Sequence, residues 1–224
     1  MPCSQQLRQE VPARPLTDNG LPLELVYADD ADFVSTLKSW LADVEATAST
    51  VLPQWSLIMN RDKTEYTDIF RSADRIDEEW RTTRKLGSLL GDEEDIMRRK
   101  QLATAAFQSL WSLWKRHQHI SEKLRLRLYN TFIIPVLTYN SGMWGVSVTV
   151  LSRLDSFHRR QLRSLIGVKW PQIIPNDALY ARCEAEPLSV MVKRSRWRLF
   201  GHILRMADES PAVMAMFAYF ANQQ

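Results

Sequence analysis

Apolar residues in this chain fall into a short strand-like pattern near the start and helical stripes over most of the rest. Leu23-Glu24-Leu25-Val26-Tyr27 is apolar-rich, and Ala31-Asp32-Phe33-Val34 can return as its partner, so a tight hairpin turning at Ala28-Asp29-Asp30 is expected. Leu37, Trp40, Leu41, Val44, Ala48, Val51 and Leu52 then repeat at the spacing of an amphipathic helix. A second helix is expected from Ile96 to His117, with Ala103, Phe107, Leu110, Trp111 and Trp114 on one face. Arg98, Arg99 and Lys100 at its start would oppose the helix dipole, a cost an anionic partner could offset. Ser121 suits the N-cap of a third helix bearing Leu124, Leu128, Phe132 and Ile133, which Pro135 would kink or end. Thr149 could cap a fourth, with Leu151, Leu154, Leu162, Leu165 and Ile166, stopping at Gly167. A short helix at 176–183 follows, then one from Pro187 to Met206 with Leu188, Met191, Val192, Leu199 and Ile203 inward and Arg194, Arg198 and Arg205 outward. An apolar helix at 214–220 closes the chain.

The fold expected is therefore α+β and predominantly α-helical: a small antiparallel sheet with one or two helices over about 21–91, then five or more helices. Residues 1–20, with Pro2, Pro12 and Pro15, read as a loop or disordered tail.

Composition narrows the class. At 224 residues and 45% hydrophobic, the chain can bury one core or two smaller ones. Cys3 and Cys183 give neither a disulfide framework nor metal-finger spacing. No signal core and no membrane-length apolar run are present, so an intracellular protein, nuclear or cytoplasmic, is expected. Seven glycines argue against phosphate-cradling loops, and His117, His119, His158 and His202 suggest no hydrolase arrangement.

The net charge of +3 conceals a division. Residues 18–97 carry 8 Lys and Arg against 18 Asp and Glu, a net of −10, whereas 98–205 carry 19 against 5, a net of +14. The basic half suits a nucleic-acid partner, because neutralising phosphates releases counterions. Trp111, Trp114, Tyr129, Trp144, Trp170 and Trp197 are interleaved with it, mostly at core-like positions.

Asp29 and Asp30 are the candidate chemistry. Mg2+ takes oxygen ligands, commonly one or two carboxylates plus substrate phosphates, although a bare Asp-Asp pair is more often a solvated turn. The surrounding blocks change that reading. Tyr27-Ala28-Asp29-Asp30, then Leu57-Ile58-Met59-Asn60-Arg61-Asp62-Lys63-Thr64-Glu65, then Lys85-Leu86-Gly87-Ser88-Leu89-Leu90-Gly91 stand in order. With them the chain resembles the second half of the reverse transcriptase palm of non-LTR (LINE-like) retrotransposons. Arg125 to Trp144, with Pro135-Val136-Leu137-Thr138-Tyr139-Asn140, is similar to the segment after that palm, and Arg196 to Met206 to a helix near the family's C-terminus.

The resemblance implies a layout: a tail (1–20), a partial palm (21–95), a thumb-like helical region (96–145) and a C-terminal helical region (146–224). It implies an RNA-directed DNA polymerase using two metals, with Asp29 and Asp30 on Mg2+ and Lys63 assisting the leaving pyrophosphate; a solvated lysine is the other reading of Lys63. Residues 57–59 would form a strand, Leu86 and Gly87 would shape the hairpin that grips the primer, and Tyr27 would pack beneath the metal hairpin. Arg98, Arg99, Lys115, Arg116, Arg125 and Arg127 would contact phosphates, as would Arg194 and Arg198 on the later helix. The partners would be an RNA template and DNA primer or their hybrid, with no membrane. The family's third carboxylate and its template-gripping segment lie upstream of the metal hairpin and are not found in the residues before Tyr27. A fragment inactive by itself is therefore expected, completed by an N-terminal palm and fingers. The alternatives are a non-catalytic nucleic-acid-binding module left from a degenerate transposon and a fragment that never folds stably, since half a palm exposes a sheet edge.

Overall fold

The computed structural model describes residues 24–27, 30–69, 79–115 and 119–221. The chain is mostly helical with two small antiparallel sheets, an α+β fold dominated by helix, as the patterning predicts. It forms two compact units, one of residues 1–66 and 203–224, the other of residues 67–202.

In the first unit, β1 (Glu24–Tyr27) pairs antiparallel with β2 (Asp30–Phe33), Glu24 opposite Phe33 and Tyr27 opposite Asp30. Asp30 thus belongs to the return strand and not to the turn. Ala28 and Asp29 lie outside the described residues. Helix α1 (Lys38–Val51) buries Trp40, Val44, Ala48 and Val51, the stripe the spacing predicts, and the Phe33 and Trp40 rings meet edge to face at 6.5 Å. Two expectations fail here. Residues 57–60 are not a strand: Ile58 is 92% exposed, and each of the two sheets holds only its own hairpin, so this apolar run has no partner to complete a ladder. Tyr27, expected to pack beneath the hairpin, is largely exposed.

The second unit opens with a hairpin of β3 (Arg84–Lys85) and β4 (Ser88–Leu89). Then come α2 (Asp92–Ser109), α3 (Trp111–Lys115), α4 (Glu122–Phe132), α5 (Ile134–Leu137), α6 (Val148–Ile166), α7 (Asn176–Arg182) and α8 (Leu188–Ile203). Helix α9 (Pro211–Ala221) belongs to the first unit. Helix α2 begins at Asp92, four residues before the expected start, and Asp92, Glu93, Glu94 and Asp95 fill its first turn. Four carboxylates favour the positive helix end, so the predicted conflict of Arg98, Arg99 and Lys100 with the dipole does not arise. The helix breaks at Leu110, making two helices of the expected one. Ser121 caps α4 as expected, its hydroxyl accepting from the Leu124 amide at 3.3 Å. Ser147, not Thr149, caps α6, which Gly167 ends at φ 78°.

One apolar core fills this unit. Ile96, Ala103 and Phe107 of α2, Trp114 of α3, Ile133 and Leu137 around α5, Leu154, Leu162 and Leu165 of α6, and Leu188 and Val192 of α8 belong to it. Two polar devices cross it. Arg125 of α4, nearly enclosed, donates from Nη1 to the Leu165 carbonyl at 2.6 Å and the Trp114 carbonyl at 3.3 Å. Those carbonyls lie in the last turns of α6 and α3, where the ladder leaves acceptors open and the dipole favours a cation. Elsewhere the Tyr129 hydroxyl donates to Gln161 Oε1 at 2.8 Å and shares a hydrogen bond of 2.9 Å with His158 Nδ1. Burial foremost lowers the His158 pKa to about 4; Arg159 also lowers it, while Asp155 opposes the shift.

Arg125→Met is expected to cost about 3 kcal/mol in urea unfolding, because two helix-end carbonyls lose a charged donor; a loss within experimental error would show that the carbonyls find other partners. For His158 the sign follows from neutrality in the fold. The stability it contributes is complete above the ordinary pKa of 6.5 and drains away as pH falls toward 4. Between pH 7 and pH 4 the wild type should lose roughly 3 kcal/mol more than His158→Asn, which keeps a donor and does not titrate. Parallel stability–pH curves for the two proteins would refute this.

Candidate functional site

The β3–β4 hairpin turns in two residues, Leu86 at φ 46° and Gly87 at φ 83°. Positive φ at both centres is the type I′ turn, whose twist matches the strands it joins. Glycine takes this conformation freely. A Cβ at Gly87 would meet nothing closer than the Tyr139 hydroxyl at 3.5 Å, so the dihedral and not the space calls for glycine. Leucine in the left-handed region is strained by about 1–2 kcal/mol. Its side chain does not recover this by burial, being 55% exposed at the tip.

What holds the turn is a set of donors from outside it. The Gly87 carbonyl accepts from Arg98 Nη1 at 2.8 Å and Arg99 Nη2 at 2.6 Å. The Leu86 carbonyl accepts from the Tyr139 hydroxyl at 3.0 Å. Ser88 Oγ accepts from Arg99 Nη2 at 3.0 Å and Asn140 Nδ2 at 3.2 Å. The Arg99 guanidinium also lies 4.3 Å from the centre of the Tyr139 ring.

Beneath the turn, Asp95 anchors the arrangement. Its Oδ1 accepts from the Leu89 amide at 3.0 Å and lies 3.5 Å from Arg99 Nε; its Oδ2 accepts from Trp144 Nε1 at 3.0 Å. Arg196 donates to the Trp144 carbonyl, and Asp92 Oδ2 accepts from the Gly145 amide at 2.9 Å. The start of α2, the end of β4 and the segment after α5 thus meet at one buried carboxylate. What results is a pinned, exposed, apolar-tipped loop.

Of the residues singled out from sequence, Leu86, Gly87, Arg98 and Arg99 are brought together here. The others are dispersed. Asp30 is exposed on β2, on the same strand face as Asp32. Lys63 is exposed in a 3-10 turn, Arg61–Lys63, closed by its amide on the Asn60 carbonyl at 3.2 Å. Lys115 is exposed, with its ammonium 5.1 Å from the Trp111 ring centre. Arg127 and Arg198 are exposed, and Arg194 is paired bidentately with Glu186 at 2.6 and 2.7 Å. Asp29 and Arg116 lie outside the described residues.

Arg99 and Arg125 were expected on phosphates; both guanidinium groups are instead spent inside the protein, on the hairpin turn and on helix ends. Asp95, Tyr139, Asn140 and Trp144 carry the hairpin and had no role assigned from sequence. The i, i+4 spacing of Asp95 and Arg99 was the available signal for one of these contacts. Among the described residues no cluster of three or more His, Cys, Asp or Glu is placed to hold a metal ion, and no helix is long and apolar enough to cross a membrane.

No protein-family model matches the chain, and no solved structure matches it significantly. Among curated proteins it is similar to an uncharacterized transposon-derived protein of Caenorhabditis elegans, 27% identical over 119 residues, which cover 51% of this chain and 42% of the relative. The chain therefore matches less than half of that relative's length, and the likeness points to a transposon origin.

Proposed function

We propose that this chain carries the metal-binding hairpin, the primer-gripping hairpin and the helical thumb of a transposon-borne reverse transcriptase, and that it holds an RNA–DNA hybrid. The observation that carries the reading is the 84–89 turn. A strained, exposed leucine, in a turn whose carbonyls accept from Tyr139 at Leu86 and from Arg98 and Arg99 at Gly87, has no packing reason to be there, and strain of this kind clusters at ligand contacts. The transposon-derived relative and the ordered motif blocks support it.

In the complete enzyme Asp29 and Asp30 would hold Mg2+. The exposed Asp30 carboxylate is a hard oxygen ligand of the kind this ion takes, leaving coordination positions for water and phosphate. Bound Mg2+ supplies in-line positioning of the attacking and leaving oxygens. Lys63, exposed on its turn, would neutralise the leaving pyrophosphate. Arg98, Lys115, Arg116, Arg127, Arg194 and Arg198 would set the hybrid's position through phosphates. Recognition would be by shape, as for A-form helices generally.

Two measurements test this. The first is binding of a labelled RNA–DNA hybrid across salt, with primer extension on an RNA template in Mg2+. Affinity of this chain that falls steeply with salt, together with extension by the enzyme completed with an N-terminal palm and fingers, abolished there by Asp29→Asn/Asp30→Asn, is the polymerase result. Binding without extension even by the completed enzyme leaves a non-catalytic holding module, and neither binding nor extension refutes the proposal. The second is Leu86→Asn, which relieves the left-handed strain. It should raise stability by about 1 kcal/mol and weaken hybrid binding roughly tenfold, the equivalent of one lost apolar side-chain contact. Unchanged affinity in that variant would remove the hairpin from the interface.

A further inference from the structure

Helices α2 and α6 leave a groove between them of about 280 Å3, lined by Lys100, Ser152, Arg153, Ser156, Phe157 and Arg160. Arg153 and Arg160 were not singled out from sequence, and Lys100 only for its place near the start of its helix. Arg153, Phe157 and Arg160 stand at i, i+4 and i+7 on α6, one face over two turns, about 10.5 Å long. Lys100 faces them from α2, its ammonium 5.5 Å from the centre of the Phe157 ring.

Among the described residues no carboxylate pairs with Lys100, Arg153 or Arg160. Most basic side chains nearby are already engaged: Arg159 donates to Ser156 Oγ at 2.9 Å, and Arg163 donates to the Ile174 carbonyl and to Asn176 Oδ1. The one carboxylate within α6, Asp155, accepts from the Ser189 amide at 2.9 Å and hydroxyl at 2.7 Å. The carboxylates of α2 are confined to its first turn. Three like charges held around one concavity repel one another, and the Phe157 ring is a low-dielectric wall that focuses their field. An anion relieves both.

We infer that this groove is a phosphate-binding site that takes the sugar-phosphate backbone of a polynucleotide strand. Arg153 and Arg160 grip phosphates with planar guanidinium forks, and Lys100 closes the opposite side as a point charge. A row about 10.5 Å long is longer than one phosphate group, so a strand running along α6 meets more than one of its cations and a single phosphate does not fill it. The site reads no bases; it sets position. The identity of the ligand rests on the nucleic-acid reading above, whereas the groove itself is a separate set of residues.

The test is fluorescence anisotropy of a labelled RNA–DNA hybrid titrated across salt, for the wild type and for Lys100→Ala/Arg153→Ala/Arg160→Ala, with thermal melting of both. Each phosphate contact contributes about 0.9 to the slope of log affinity against log salt on a duplex. The triple variant should therefore lose about two to three units of slope and bind at least tenfold more weakly at low salt, with an unchanged melting curve. The charge-preserving Lys100→Arg/Arg153→Lys/Arg160→Lys should keep most of the slope, which settles the matter should the alanine variant fail to fold. A slope equal to wild type in a folded triple-alanine variant, or a slope lost equally in the charge-preserving one, overturns the groove and leaves the nucleic-acid reading standing. A wild type with no affinity for the hybrid overturns both.

Discussion

A carboxylate exposed to only 1% must be compensated inside the protein, and Asp95 is compensated from three directions. The Leu89 amide, the Trp144 indole and the Arg99 guanidinium converge on it from β4, from the segment after α5 and from one turn along its own helix. Breaking a buried ion pair by removing one partner typically costs about 3–5 kcal/mol, because the charge left behind has no water to turn to. That constraint fixes Arg99 and so delivers its Nη2 to Gly87 and Ser88. The hairpin turn, the register of β3 and β4 and the exposed presentation of Leu86 all follow from one satisfied buried charge.

The parts of this fold legible in sequence are those governed by local rules. The apolar stripe of α1, the Ser121 cap and the Gly167 stop each depend on residues within a turn or two, and each was found. The start of α2 lies four residues before the first residue of its apolar stripe, because Asp92 to Asp95 contribute no apolar position. The same four residues are where a helix N-terminus wants negative charge. The apolar run 57–59 looked like a strand, but a strand is defined by its neighbour, and no local pattern supplies one. The hairpin at 84–89 was placed by its Leu-Gly. Its support comes from Tyr139 and Asn140, more than fifty residues away, which periodicity cannot connect.

The tryptophans make the same point about burial. Trp114 and Trp144 are enclosed, and each indole N–H has an acceptor: the Phe107 carbonyl at 2.7 Å for one, Asp95 for the other. Trp170 and Trp197 come from the same basic half and are 90% and 72% exposed. Among the described residues an acceptor is not a condition of burial, since Trp40 of the other unit is buried with its indole N–H unpaired. Helical spacing alone does not reveal which rings have one.

Charge follows the same logic and decides how the net of +14 over residues 98–205 is to be read. Arg99, Arg125 and Arg196 are spent on backbone carbonyls inside the unit, while Arg182 and Arg194 are paired with Glu122 and Glu186 on its surface. Internal cations stabilise the fold and lie out of reach of a phosphate, and paired ones meet a ligand only by giving up a partner. The sum of charges therefore overstates the field at most of the surface and understates it where unpaired cations gather. Lys100, Arg153 and Arg160 gather around one groove, with α6's own carboxylate committed to Ser189. Electrostatic affinity for a polyanion depends on phosphates neutralised and not on residues counted, so it is set by that local surplus.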